Sequence, residues 1–148
     1  MILKPFKEVS EIDSGNPYKE DISIDATKTI KDITWAFPSH QIFLKDGIES
    51  EYVTSSISNE TMHVYYNKDG ICTGLEIFKP HSLQCENIEL LKCSLSSLVK
   101  ELKIKDIQFD EIDYGIEIPS FGISTYSHDF EENSNLPIDC VYVELRCQ

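Results

Sequence analysis

The sequence predicts an α+β domain in which two amphipathic helices pack on a mainly antiparallel sheet. Three observations carry that expectation. A β-hairpin signal lies at the centre of the chain, apolar residues recur at helical spacing in two places, and several short runs alternate apolar and polar residues. Strands that follow one another without intervening helices favour antiparallel pairing.

The hairpin is the clearest element. The β-prone runs Met62 to Tyr66 and Ile71 to Phe78 flank Asn67-Lys68-Asp69-Gly70, and Asp-Gly accepts positive φ at low steric cost. A hairpin needs a partner to bury one face, so the flanking segments must supply it. Before it, residues 1–20 carry Pro5 and Ser14-Gly15-Asn16-Pro17 and read as an irregular lead-in, followed by a short strand with Ile22 and Ile24. Ala26, Ile30, Ile33 and Phe37 then fall at i, i+4, i+7 and i+11, one face of a helix that Asp25 or Thr27 would cap and Pro38 would stop. Residues 39–61 read as one or two short strands and a polar surface loop.

After the hairpin, Leu91, Leu95, Leu98 and Leu102 repeat the helical spacing, with Ser94 placed to cap. Ile112, Tyr114, Ile116 and Ile118 alternate at strand period, with Phe121 to Tyr126 as a partner beyond Pro119-Ser120. Val141, Val143 and Leu145 alternate in a closing strand. The order suggests a duplicated strand-helix-hairpin unit over 20–80 and 86–146 within one domain, 1–148. The alternative stays open, because such spacing belongs to any amphipathic helix. Without the duplication, the expectation is two helices and six to eight strands.

Bulk properties exclude several function classes. A chain of 148 residues with a hydrophobic fraction of 41% can bury a core without a disulfide scaffold. The five cysteines are odd in number and lack a Cys-x-x-Cys pair, the usage of a reducing compartment. Together with His40, His63, His81 and His128 they show no compact zinc spacing, so no metal is expected. The sequence contains no apolar run of bilayer-spanning length and no signal-peptide core at Met1 to Glu8, which makes the cytoplasm the expected location. No glycine-rich phosphate loop is present, and no cofactor is expected.

Charge is the informative property. The chain has a net charge of −13, and residues 106–148 hold 10 acids against a single base, Arg146. Such a surface repels phosphate backbones and anionic lipid, which argues against nucleic acid and membranes and for a basic protein partner. The acids Asp106, Asp110, Glu111 and Asp113 lack the ligand spacing of a calcium loop and read as a solvated acidic stretch. The segment from Ser127 to Pro137 joins two expected strands and combines His128, Asp129, Phe130, Glu131 and Glu132, acids that steer with an aromatic that anchors. The expected partner-binding set is therefore Asp106, Asp110, Glu111, Asp113, Glu117, His128, Asp129, Phe130, Glu131 and Glu132. Catalytic signatures are missing; His63 with Cys72 and His81 with Cys85 match no local motif.

The residues Tyr65-Tyr66-Asn67-Lys68-Asp69-Gly70, Leu75-Glu76-Ile77-Phe78 and Ile88-Glu89-Leu90-Leu91 leading into Leu95 to Leu102 carry a resemblance. So do Phe121-Gly122-Ile123-Ser124-Thr125-Tyr126 and Val141-Tyr142-Val143. Over residues 62–146 the chain resembles a set of small acidic bacterial proteins, some of which are associated with immunity to secreted toxins. The resemblance implies a toxin-neutralising role and carries over no functional residue, since its motifs are hairpins and helices rather than chemistry. The leading expectation is an acidic immunity protein that occludes the active site of a basic toxin such as a nuclease. The rivals are a small Cys/His hydrolase or transferase and a structural or regulatory subunit without catalysis.

Overall fold

The computed structural model describes residues 1–44, 52–128 and 135–148. Among the described residues, thirteen strands form two sheets, and helix is confined to seven residues of α1 (Ile30–Ala36) and ten of α2 (Leu95–Ile104). The expected balance of two helices on one sheet is thus overturned: the protein is mostly β. The reason lies in segments whose composition hides their burial.

The smaller sheet has the order β3-β2-β1-β8-β9, built from β1 (Ile2–Lys4), β2 (Glu8–Ile12), β3 (Ile22–Asp25), β8 (Gln84–Cys85) and β9 (Ile88–Glu89). Residues 1–20, read as irregular, supply two of these strands. Leu3, Val9 and Ile12 are almost fully buried, and Pro5 and Gly15 fall in the connections rather than in the ladder. Only the β1–β8 pairing is parallel among the strand pairs described.

The larger sheet has the order β10-β11-β12-β13-β7-β6-β5-β4. Its strands are β4 (Gln41–Phe43), β5 (Thr54–Ile57), β6 (Met62–Tyr66), β7 (Cys72–Phe78), β10 (Asp110–Ile112), β11 (Gly115–Ile118), β12 (Ile123–Tyr126) and β13 (Cys140–Glu144). Each helix is preceded by a short strand of the smaller sheet and followed by a four-stranded antiparallel meander of the larger one. The two meanders meet through their last strands, where β7 pairs antiparallel with β13.

Local chemistry explains the elements that the sequence did reveal. Asn67 closes the β6–β7 turn: its side-chain oxygen accepts from Asp69 N at 2.9 Å and Ile71 N at 3.1 Å, with Gly70 at φ 73. Ser94 caps α2 by accepting from Ser97 N, and Leu95, Leu98 and Leu102 face inward. Helix α1 starts later than its apolar spacing predicts. Its cap is Thr29, which forms a reciprocal box with Asp32, while Asp25 instead holds Thr27 in a local turn.

Two changes of side along the strands matter for the site. The alternation from Ile112 to Ile118 is not one strand but a two-residue hairpin at Asp113-Tyr114, with Tyr114 at φ 63 and Ile112 paired with Gly115. A register shift opposite Tyr65 and Tyr66 turns Cys72 into the core and leaves Glu76 and Phe78 on the other face, so Cys72 and Glu76 do not share a side.

One hydrophobic cluster unites the structure. The inward rows of the large sheet (Leu75, Ile77, Met62, Val64, Val141, Val143) join the buried faces of both helices and the smaller sheet. Each such side chain contributes about 1.5–3 kcal/mol on full burial. Strand β5, one of two described in the stretch read as one or two short strands and a polar loop, belongs here: Ser55 is fully buried, its hydroxyl shared between His40 Nε2 and Tyr66 Oη at 2.6 Å each.

Candidate functional site

One face of the large sheet packs on the core, and the other points away from it. Strand register lines up one residue from every strand across it: Asp110, Glu117, Ser124, Tyr142, Glu76, His63, Ser56 and Gln41, each paired with the next. The row is polar throughout, as expected where alternate residues of an antiparallel sheet point away from the core. Rows on either side add Tyr126 and Phe78, and Tyr65 and Phe43. The face closes at β5, where Thr54 and Ser56 are buried.

Tyr142 and Glu76 are direct cross-strand partners at the seam between the meanders. Tyr142 lies over Gly74: a Cβ there would stand 2.7 Å from the Tyr142 hydroxyl, so any larger residue would displace the ring. The Tyr65 and Tyr142 rings are 6.1 Å apart and tilted by 55°. His63 sits between Phe43 and Phe78 in edge contacts of 5.1 and 5.0 Å, with its Nδ1 3.3 Å from Glu76 Oε1. Burial pushes the Tyr142 hydroxyl up, and Glu144 and Glu76 add to the effect, which marks a negative local field.

The expected partner-binding residues divide. Asp110 and Glu117 stand directly opposite each other on the open face, both exposed, with no hydrogen bond or ion pair among the described residues. Glu111 is exposed but points to the opposite side, in register with buried Ile116, because β10 is an edge strand. Asp113 occupies the hairpin turn, and Asp106, at φ 55, follows the end of α2, so neither joins the row. Asp129, Phe130, Glu131 and Glu132 lie outside the described residues.

His128 follows β12 and is tied to Asp139. Its backbone N and its ring Nδ1 meet Asp139 Oδ2 at 2.8 and 2.6 Å, while Lys79 Nζ bonds Asp139 Oδ1 at 2.7 Å. Burial alone would push the Asp139 carboxyl up, but these bonds outweigh it and hold the group down at about 2. A carboxyl depressed on folding stabilises fully above its unfolded value of about 3.9, and that contribution is lost as the pH falls. Asp139→Asn is therefore expected to flatten the acid-unfolding profile between about pH 4 and about pH 2, as followed by circular dichroism. An unchanged profile would show that the cluster adds nothing.

The Cys/His pairings suggested by sequence do not form. Cys72 donates to Gly74 O at 3.8 Å and Cys85 is fully buried, whereas His81 Nε2 meets Thr61 Oγ1 at 2.6 Å. Burial pushes the Cys72 and Cys85 thiols up to about 12 and Cys93 up to about 11. Iodoacetamide is expected to label exposed Cys147 in the native chain and to spare Cys72 and Cys85 until denaturant is added; rapid native labelling of either would contradict this placement. No group of three or more His, Cys, Asp or Glu side chains among the described residues could hold a metal ion. No helix among them is long and apolar enough to cross a membrane.

Sequence reasoning gave no site role to Tyr65, Glu76, Tyr126 or Tyr142, and it weighed His63 only beside Cys72 and as a zinc ligand. Their signal was present: Glu76 alternates with Leu75 and Ile77, and Tyr142 with Val141 and Val143, which puts both opposite the apolar face of their strands. No family model, curated protein or solved structure matches the chain.

Proposed function

We propose that the chain is an acidic protein-binding module that uses the open face of its large sheet, most concretely a cytoplasmic immunity protein that fills the positive cleft of a basic toxin. What supports the reading above all is the Asp110–Glu117 pair. Two like charges set directly opposite on an exposed sheet destabilise the pairing by about 0.2–1 kcal/mol, and neither carboxylate forms an ion pair with a cation among the described residues. A basic partner would relieve it. Tyrosines beside these acids offer contact area at low entropic cost. A nuclease is the toxin class whose phosphate-attracting cleft such acids would match.

The experiment is to express the products of the genes adjacent to this one and test each for complex formation at low and high salt. A basic protein that binds tightly at low salt, loses its toxic activity in the complex and dissociates faster at high salt is the expected result. If no adjacent product binds, or the bound one retains full activity, the reading is wrong.

A further inference from the structure

Within the open face, Tyr65, Glu76, Tyr126 and Tyr142 line a shallow depression of about 430 Å³. Three phenol rings and one carboxylate are the chemistry that holds an organic cation: ring faces attract positive charge, and the carboxylate accepts its N–H groups. The same molecule shows this pairing of a ring and a carboxylate already at work on a guanidinium. Arg146 Nε donates to Glu144 at 2.7 Å while its guanidinium carbon stands 4.1 Å from the centre of the Phe6 ring.

We propose that the depression over Glu76 receives an arginine side chain of the partner, its guanidinium set against the tyrosine rings and hydrogen-bonded to the Glu76 carboxylate. This rests on the partner-binding reading and names what that partner must present. Arginine fits better than lysine because a planar guanidinium stacks on a ring and binds a carboxylate through two parallel donors at once. The position agrees with the geometry of the face: Glu76 and Tyr142 are central in the row, where anchoring side chains of an interface are found, and Glu117 lies two strands away to draw a cation in. None of the four lining residues is basic.

The test is a titration of the folded chain, its tyrosine rings labelled for NMR, with N-acetylarginine amide and with its neutral isostere N-acetylcitrulline amide. Arginine amide is expected to shift the ring resonances of Tyr65, Tyr126 and Tyr142 in a saturable way, with citrulline amide inactive and fully exposed Tyr18 unchanged. Glu76→Gln should weaken the arginine response by about tenfold, and Tyr126→Ser, at the exposed rim, serves if the first variant does not fold. Equal shifts from both amides, shifts at Tyr18 as large as at the other three, or an unaltered affinity in both variants would overturn the proposal. A basic partner whose binding ignores Glu76→Gln sinks this site and leaves the partner-binding reading intact. Saturable arginine binding with no basic partner among adjacent gene products does the reverse.

Discussion

Alanine in place of Gly115 is expected to cost the fold about 3 kcal/mol or more, in the range reserved for core disruption. A Cβ at this position would stand 1.7 Å from the carbonyl oxygen of Thr125 and 2.8 Å from its carbonyl carbon. Those atoms are backbone of the neighbouring strand, so no rotamer change relieves the clash; β11 and β12 must separate. Thr125 is fully buried between them and exchanges hydrogen bonds with Ile116, so separation would also strand a polar group. Guanidinium unfolding of Gly115→Ala against the parent measures the effect. A loss below about 1 kcal/mol would mean that the two strands are not held as closely as described.

The second large effect concerns binding, and its interest lies in two opposite signs. Asp110→Asn with Glu117→Gln removes a like-charge pair, so the double variant is expected to be more stable than the parent by about 0.2–1 kcal/mol. The same change should slow association with the basic partner by about tenfold at low salt and much less at high salt, since steering by exposed charge is screened. Residues retained for stability do not behave this way, whereas residues retained for function at a cost to stability do. Stopped-flow association at two salt concentrations and a parallel denaturation curve would decide it. Unchanged association kinetics would remove these acids from the interface, and a loss of stability would show that they are satisfied by contacts within the chain.

Local signals in the sequence reveal local structure and little else. Asn67-Lys68-Asp69-Gly70 specifies a turn through its own side chain, and Ser94 caps α2 through its own hydroxyl; both depend on neighbours in sequence. The bounds of strand β5 were hidden because Thr54, Ser55 and Ser56 are polar, and what makes Ser55 acceptable in the interior is a pair of partners from elsewhere, His40 and Tyr66. The site was obscured for a related reason. Which residues share a face depends on strand register, and two single-step events, the turn at Asp113-Tyr114 and the shift between Cys72 and Gly74, invert the side on which the following residues fall. Counting acids along the chain therefore grouped Glu111 with Asp110 and Glu117, from which the register separates it, and left Glu76 out.

The register row has a geometric consequence for any partner. Adjacent strands sit about 4.8 Å apart and rotate by roughly 20–25° each, so seven steps carry the row about 34 Å and turn it through roughly 150°. No flat surface can touch both ends. A body seated on Tyr142 and Glu76 meets Glu117 about 10 Å away and tilted by roughly 45°, close enough to feel its field yet angled out of the plane of contact. On the proposed reading, the twist of the sheet would divide labour along a single line of residues, with the middle to grip a partner and the β10 end to guide it.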